Sequence, residues 1–179
     1  MDRTLIDAAA KRLAVEAVFL RRTQVRCKED FRPPFIGNHL ALVPQYRGGP
    51  TGTFQVVTAA DEGTGETRKA ALFYFAAGVR LIDAESLNNA DEGQSLPDAA
   101  VYVEIECEFC AQYSVNGASD EQVLRPALDE FARYNVGYHV WPYWREYVQG
   151  TCARLGIPPV PVPMYRIPAS DPEADTVRE

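Results

Sequence analysis

Histidine is nearly missing from this chain: His39 and His139 are the only two in 179 residues. That scarcity leaves little room for histidine acid–base chemistry or a histidine-built metal site. No serine sits in a G-x-S-x-G turn. The glycine-rich stretch Arg47-Gly48-Gly49-Pro50-Thr51-Gly52 has no lysine where a phosphate-cradling loop requires one. No apolar run approaches the roughly 18 residues of a membrane span. The first twenty residues are interrupted by Asp7, Lys11, Arg12 and Glu16, so no secretory leader is expected and the cytoplasm is the expected compartment. Positive charge is also short, with 18 Lys and Arg against 25 Asp and Glu, for a net charge of −7. That balance disfavours a nucleic-acid partner and suits a basic peptide better.

What is present is enough apolar material, 46% of residues, for one folded domain. Leu13 to Cys27 fits either helical spacing or a long strand, and the favoured reading is a short helix at Leu5 to Lys11 running into a strand. His39 to Tyr46 and Thr53 to Ala59 read as two strands, with Arg47 to Gly52 as the turn between them. Ala71 to Ile82 is apolar on both alternating faces and predicts a strand covered on both sides. Val101 to Val115 alternates: Val103, Ile105, Cys107, Phe109 and Tyr113 fall on one face, Glu104, Glu106 and Glu108 on the other. The intervening loop, with Asn88-Asn89-Ala90-Asp91, suits an antiparallel pair.

Helical spacing begins after Ser119-Asp120-Glu121, a helix-start signal, with Leu124, Ala127, Leu128 and Phe131 on one stripe. A second helix is predicted to start at His139-Val140-Trp141-Pro142, with Pro142 at its first position and Gly156 at its end. Ile157 to Pro168 alternates proline with apolar residues and should run extended; residues 169–179 are acidic and are expected to be flexible. Strands followed by helices predict an α+β fold built on a four-stranded antiparallel sheet.

The sequence offers few chemical constellations. Cys107 and Cys110 form a CxxC, but on a strand they face opposite ways with alpha carbons about 10 Å apart, which forbids a disulfide and argues against a shared metal. With Cys27 and Cys152 they are expected to be buried, reduced thiols. The three glutamates form either a solvated strand face or a docking patch for a cation. Neither a catalytic residue nor a cofactor is nominated, and the chain is not expected to be an enzyme.

The last third resembles the SecB family of export chaperones. That family's long C-terminal helix is interrupted, restarting at an aromatic-Pro-Tyr-x-Arg-Glu motif, matched by Trp141-Pro142-Tyr143-Trp144-Arg145-Glu146. It then ends near an Arg-Gly and enters an extended proline-apolar stretch, as Arg154-Leu155-Gly156 does before Ile157 to Pro163. Cys107-Glu108-Phe109 and Tyr113-Ser114-Val115 lie in a strand similar to the family's. The resemblance spans Val101 to Met164; residues 1–168 would form the SecB-like domain. The family's short C-terminal helix is replaced by Ser170 to Glu179.

The resemblance implies ATP-independent holding of unfolded polypeptides in apolar grooves, for export through the Sec translocase. SecB-like proteins also serve as dedicated chaperones of antitoxins in toxin–antitoxin systems, and a protein-binding adaptor of the same fold is a third reading. It implies a homo-oligomer, dimer or dimer of dimers. It further implies client contacts among Phe73, Tyr74, Phe75, Phe109, Tyr113, Tyr138, Trp141 and Trp144. Trp144 is expected to pack inward, Trp141 to face a groove, and Phe73 and Phe75 fit either role. In the family a negative patch on the sheet receives the basic tail of the ATPase SecA, which makes Glu104, Glu106 and Glu108 the docking candidates.

Overall fold

Alternation along one strand organises the molecule. The computed structural model describes residues 1–33, 41–60, 67–88, 98–117 and 121–166, with the side chains of 121–123 excepted. At its centre β4 (Val101–Val115) buries Val103, Ile105, Cys107, Phe109, Ala111 and Tyr113 on one face. Beside it β3 (Thr67–Asp83) buries Phe73, Phe75, Ala77, Val79 and Leu81 on the same face, in antiparallel register with Phe75 opposite Phe109. The outer strands are β1 (Leu13–Cys27), paired to β4, and β2 (Leu42–Ala60), paired to β3. The four-stranded sheet is antiparallel throughout, in the order β1-β4-β3-β2.

The expected short first helix is α1 (Arg3–Ala10), capped by Asp2, whose carboxylate accepts from the Thr4 and Leu5 amides at 2.9 and 3.2 Å. A further short helix, α2 (Ala84–Asn88), follows β3. Long helices α3 (Glu121–Tyr134) and α4 (Val136–Leu155) lie with α1 on the buried face of the sheet. This is the expected α+β architecture. The start signal at Ser119-Asp120, the loop before β4, His39 and the acidic tail lie outside the described residues.

Two local expectations are corrected. Arg47 to Gly52 is no turn: β2 runs through it, with Arg47 to Pro50 paired to β3 and an irregularity between Pro50 and Phe54. Glycine and proline here make a bulge in an edge strand, where a missing ladder hydrogen bond is tolerated. The second helix begins at Val136, six residues before Pro142, and the interruption is the single residue Asn135. Packing of Val136, Gly137 and Val140 into the core extends the helix backward, and Pro142 sits in its second turn. The hydrogen bond Pro142 cannot make would have gone to the carbonyl of Tyr138, a residue at the solvent surface.

Candidate functional site

The rings nominated from the sequence separate into three groups. Phe73 and Tyr113 lie at the centre of the core, 5.4 Å apart, each against Phe131, with Phe54 completing the cluster beside Phe73. Tyr113 also shares a 2.8 Å hydrogen bond with His139 Nδ1, and burial lowers the pKa of that imidazole. Phe109 and Trp144 are sealed as well. Phe73, Phe109, Tyr113 and Trp144 are therefore cohesion, not groove, in this arrangement: the helices cover the face of the sheet that carries them. Tyr74 is on the opposite face, with the Arg21 guanidinium 4.6 Å from its ring centroid.

The remaining rings form a trough between α4, β2 and β3. Trp141 packs against Trp144 with ring centroids 4.5 Å apart and planes tilted by 54°; Phe75 is buried and Tyr138 is 49% exposed. Trp141, expected to face a groove, is buried here beneath a segment of the same chain. The chain after α4 turns at Gly156, a left-handed cap with φ 71°, and residues 157–166 cross over these rings as a strap. Ile157, Val160 and Val162 of the strap turn inward and are buried. Tyr46 Oη donates to the Pro161 carbonyl at 2.8 Å, and Trp141 Nε1 to the Pro163 carbonyl at 2.7 Å. Tyr165 then sets its ring among Phe75, Tyr138 and Trp141, at 6.1, 5.1 and 5.3 Å.

Sequence reasoning missed Tyr165, Tyr46 and the two glycines that let these rings approach. A Cβ on Gly137 would lie 2.1 Å from the Tyr165 ring, and one on Gly48 2.9 Å from Trp141. The proline-apolar alternation signalled the strap. Nothing in it signalled what the strap lies against.

The three glutamates of β4 are on the outer face as expected, but they are not a free acidic patch. Arg26 of β1 and Arg80 of β3 both donate to Glu104, with Arg26 Nε at 2.9 Å. Glu104 is only 3% exposed. Burial alone would raise its pKa; hydrogen bonds from the two guanidiniums outweigh that and hold it below the usual carboxylate value. Arg47 of β2 pairs with Glu106, and Arg22 of β1 with Glu108 at 3.9 Å. Each strand beside β4 or beyond it supplies a cation. The strand is acidic, but the face is not. An open depression of about 700 Å³ spans it, with Gly49 and Ala76 among its lining and Arg22 and Arg47 beside it.

The cysteines hold no chemistry together. Cys107 is buried on the helix side, where burial pushes its thiol pKa up to about 11, and Cys110 lies on the other face. Cys27, expected to be buried, is exposed at the end of the edge strand. Among the described residues no group of three or more His, Cys, Asp or Glu is placed to hold a metal ion, and no helix is long and apolar enough to cross a membrane.

No protein-family model and no curated protein matches the sequence. The architecture, in contrast, matches a solved structure: the SecB-like chaperone Rv1957 of Mycobacterium tuberculosis, in complex with a ChAD peptide from the HigA1 antitoxin, Rv1956. The TM-score is 0.61, over 93% of this chain and 99% of that one, at 19% identity. The fold is SecB-like. In this SecB-like chain the aromatic-Pro-Tyr-x-Arg-Glu motif occupies the second and third turns of α4. It places Trp141 and Trp144 toward the sheet and leaves Tyr143 51% exposed.

Proposed function

We propose that this protein is an ATP-independent holding chaperone for unfolded polypeptide, and that its client is an unstructured segment of an antitoxin. One observation carries the reading: an aromatic trough beside α4, in a SecB-like fold, already holds a proline-apolar segment without helix or strand. Contacts of that kind rest on apolar area, at about 25 cal/mol per Å², and place few directional demands on the guest. The antitoxin assignment is favoured because the similar structure from M. tuberculosis carries an antitoxin peptide.

Of the nominated client contacts, Tyr138, Trp141 and Phe75 are retained, because they line the trough. Export through the Sec translocase is the weaker reading. SecA docking on Glu104, Glu106 and Glu108 would require a basic tail to compete with arginines already in place. A cytoplasmic site of action and self-association belong to the same proposal.

The test is suppression of aggregation of several unrelated, chemically unfolded proteins by the purified protein without nucleotide. Protection across the set establishes a holdase. Protection of an antitoxin alone makes it a dedicated chaperone, and protection of none removes the reading. Charge reversal at Glu106 and Glu108 is expected to leave client holding intact.

A further inference from the structure

We infer that Tyr165 is a built-in stand-in for a client side chain, and that a client's aromatic residue on an extended segment binds by taking its place. The inference deepens the chaperone reading and rests on it for the identity of the guest.

The strap is anchored unequally along its length. Its first half is held by burial of Ile157, Val160 and Val162 and by the bond from Tyr46 to the Pro161 carbonyl. Burial alternates over Val160, Pro161, Val162 and Pro163, as in an extended chain. Four prolines, 158, 159, 161 and 163, lack the N–H that a sheet ladder would use, so nothing knits the strap into the fold as a fifth strand.

Past the Pro163 carbonyl the grip weakens. Met164 is 73% exposed, and its sulfur accepts a 3.5 Å contact from Arg145 Nη1. What holds Tyr165 is ring contact with Phe75, Tyr138 and Trp141, on a floor of helix backbone at Gly137 that any side chain there would fill. Its hydroxyl makes no hydrogen bond among the described residues. The site therefore recognises a flat aromatic ring, not a phenol, and asks nothing of the guest's backbone amides. An unfolded segment presenting one ring beside aliphatic residues meets that requirement in the same way as Tyr165 does.

Occupation by Tyr165 taxes client affinity by the fraction of time the pocket is closed. The probe is a labelled synthetic peptide of this chain's own strap, Ile-Pro-Pro-Val-Pro-Val-Pro-Met-Tyr-Arg, added in trans and followed by fluorescence anisotropy. Tyr165→Ala is expected to bind it about tenfold or more tighter than the wild type. Tyr165→Phe should match the wild type, and a peptide with alanine for tyrosine should lose the gain. Gly137→Ala, which fills the floor, should not bind. Equal affinity for wild type and Tyr165→Ala, or no binding to a folded Tyr165→Ala, overturns the inference.

If Tyr165→Ala does not fold, the wild type decides. Saturating unlabelled peptide should move the ring resonances of Tyr165 in the isotope-labelled protein toward those of a solvent-exposed tyrosine, and unchanged ring resonances, or no peptide binding, overturns the inference. Aggregation assays separate the two claims. A wild type that protects clients with peptide affinities equal across variants sinks the displacement alone. Displacement without protection of any client sinks the chaperone reading alone.

Discussion

At Glu104 a single carboxylate joins three strands: it projects from β4 and accepts from Arg26 on β1 and Arg80 on β3. Hydrogen bonds to a charged group contribute about 1.5–3 kcal/mol each. Glu104→Gln should therefore destabilise the fold by roughly 2 kcal/mol near neutral pH, read by urea unfolding. The pH dependence has a definite sign. Because the folded pKa is lowered, the contribution is complete above the unfolded value of about 4.3 and is lost as pH falls through the folded one. The wild-type and Glu104→Gln stabilities should converge in acid; a constant gap down to the acid transition would deny the ion triad its role. Trp144 shows the opposite residue-scale economy. It is fully buried against Trp141 and Tyr46, and its indole N–H has no acceptor among the described residues. Apolar packing must outweigh that orphan, and Trp144→Ala should cost about 3–5 kcal/mol in the same unfolding measurement.

At the scale of elements, α4 carries its own flaw. Pro142 lies in the second turn, exposed, and deprives the Tyr138 carbonyl of its helical partner. Proline inside a helix is about 3 kcal/mol less favourable than alanine, less near an end. Pro142→Ala is therefore expected to stabilise the protein by about 1–2 kcal/mol and raise its melting temperature. A fall in melting temperature would show that the sheet contacts of Trp141 and Trp144 depend on the bend. This helix also marks how far sequence reading reached. The apolar stripe through Trp141, Trp144, Val148 and Cys152 was legible, because helical spacing is local. Its first turn was not, because Val136 joins the helix through burial in the core and Gly137 through close approach of Tyr165, neither of which is a local pattern. The same blindness applied to β2, whose bulge at Gly48-Gly49-Pro50 looks like a turn until β3 is placed beside it.

For the whole molecule, the two edges of the sheet are unequal. Along β2, Pro44, Pro50 and the bulge blunt the edge against further pairing. β1 is irregular at Val15/Ala17 and Leu20/Arg22 but has no proline, and Val15, Phe19, Leu20 and Val25 are each more than a third exposed, since the helices lie chiefly over the other three strands. A long apolar edge of that kind favours pairing with a second copy of the chain. On the proposal of self-association, the wild type should run above 19.9 kDa in light scattering, and replacing Phe19 and Leu20 with Asp together should give a species of that mass with little change in folding. A monomeric wild type would leave the edge bare and end the oligomer reading.

By itself the sequence determined the periods: alternation in β4, the helical stripe of α4, and the run of prolines that cannot be helix or ladder. These are near-neighbour properties, set by sterics and by which face of an element is apolar. Tertiary structure alone decided what each face meets. It paired the glutamates of β4 with arginines from β1, β2 and β3, turning an acidic strand into a balanced face. It also laid residues 157–166 over Trp141, so that a ring expected to face a groove is covered by the same chain. Charge balance and occupancy arise between segments tens of residues apart, and no local pattern encodes them.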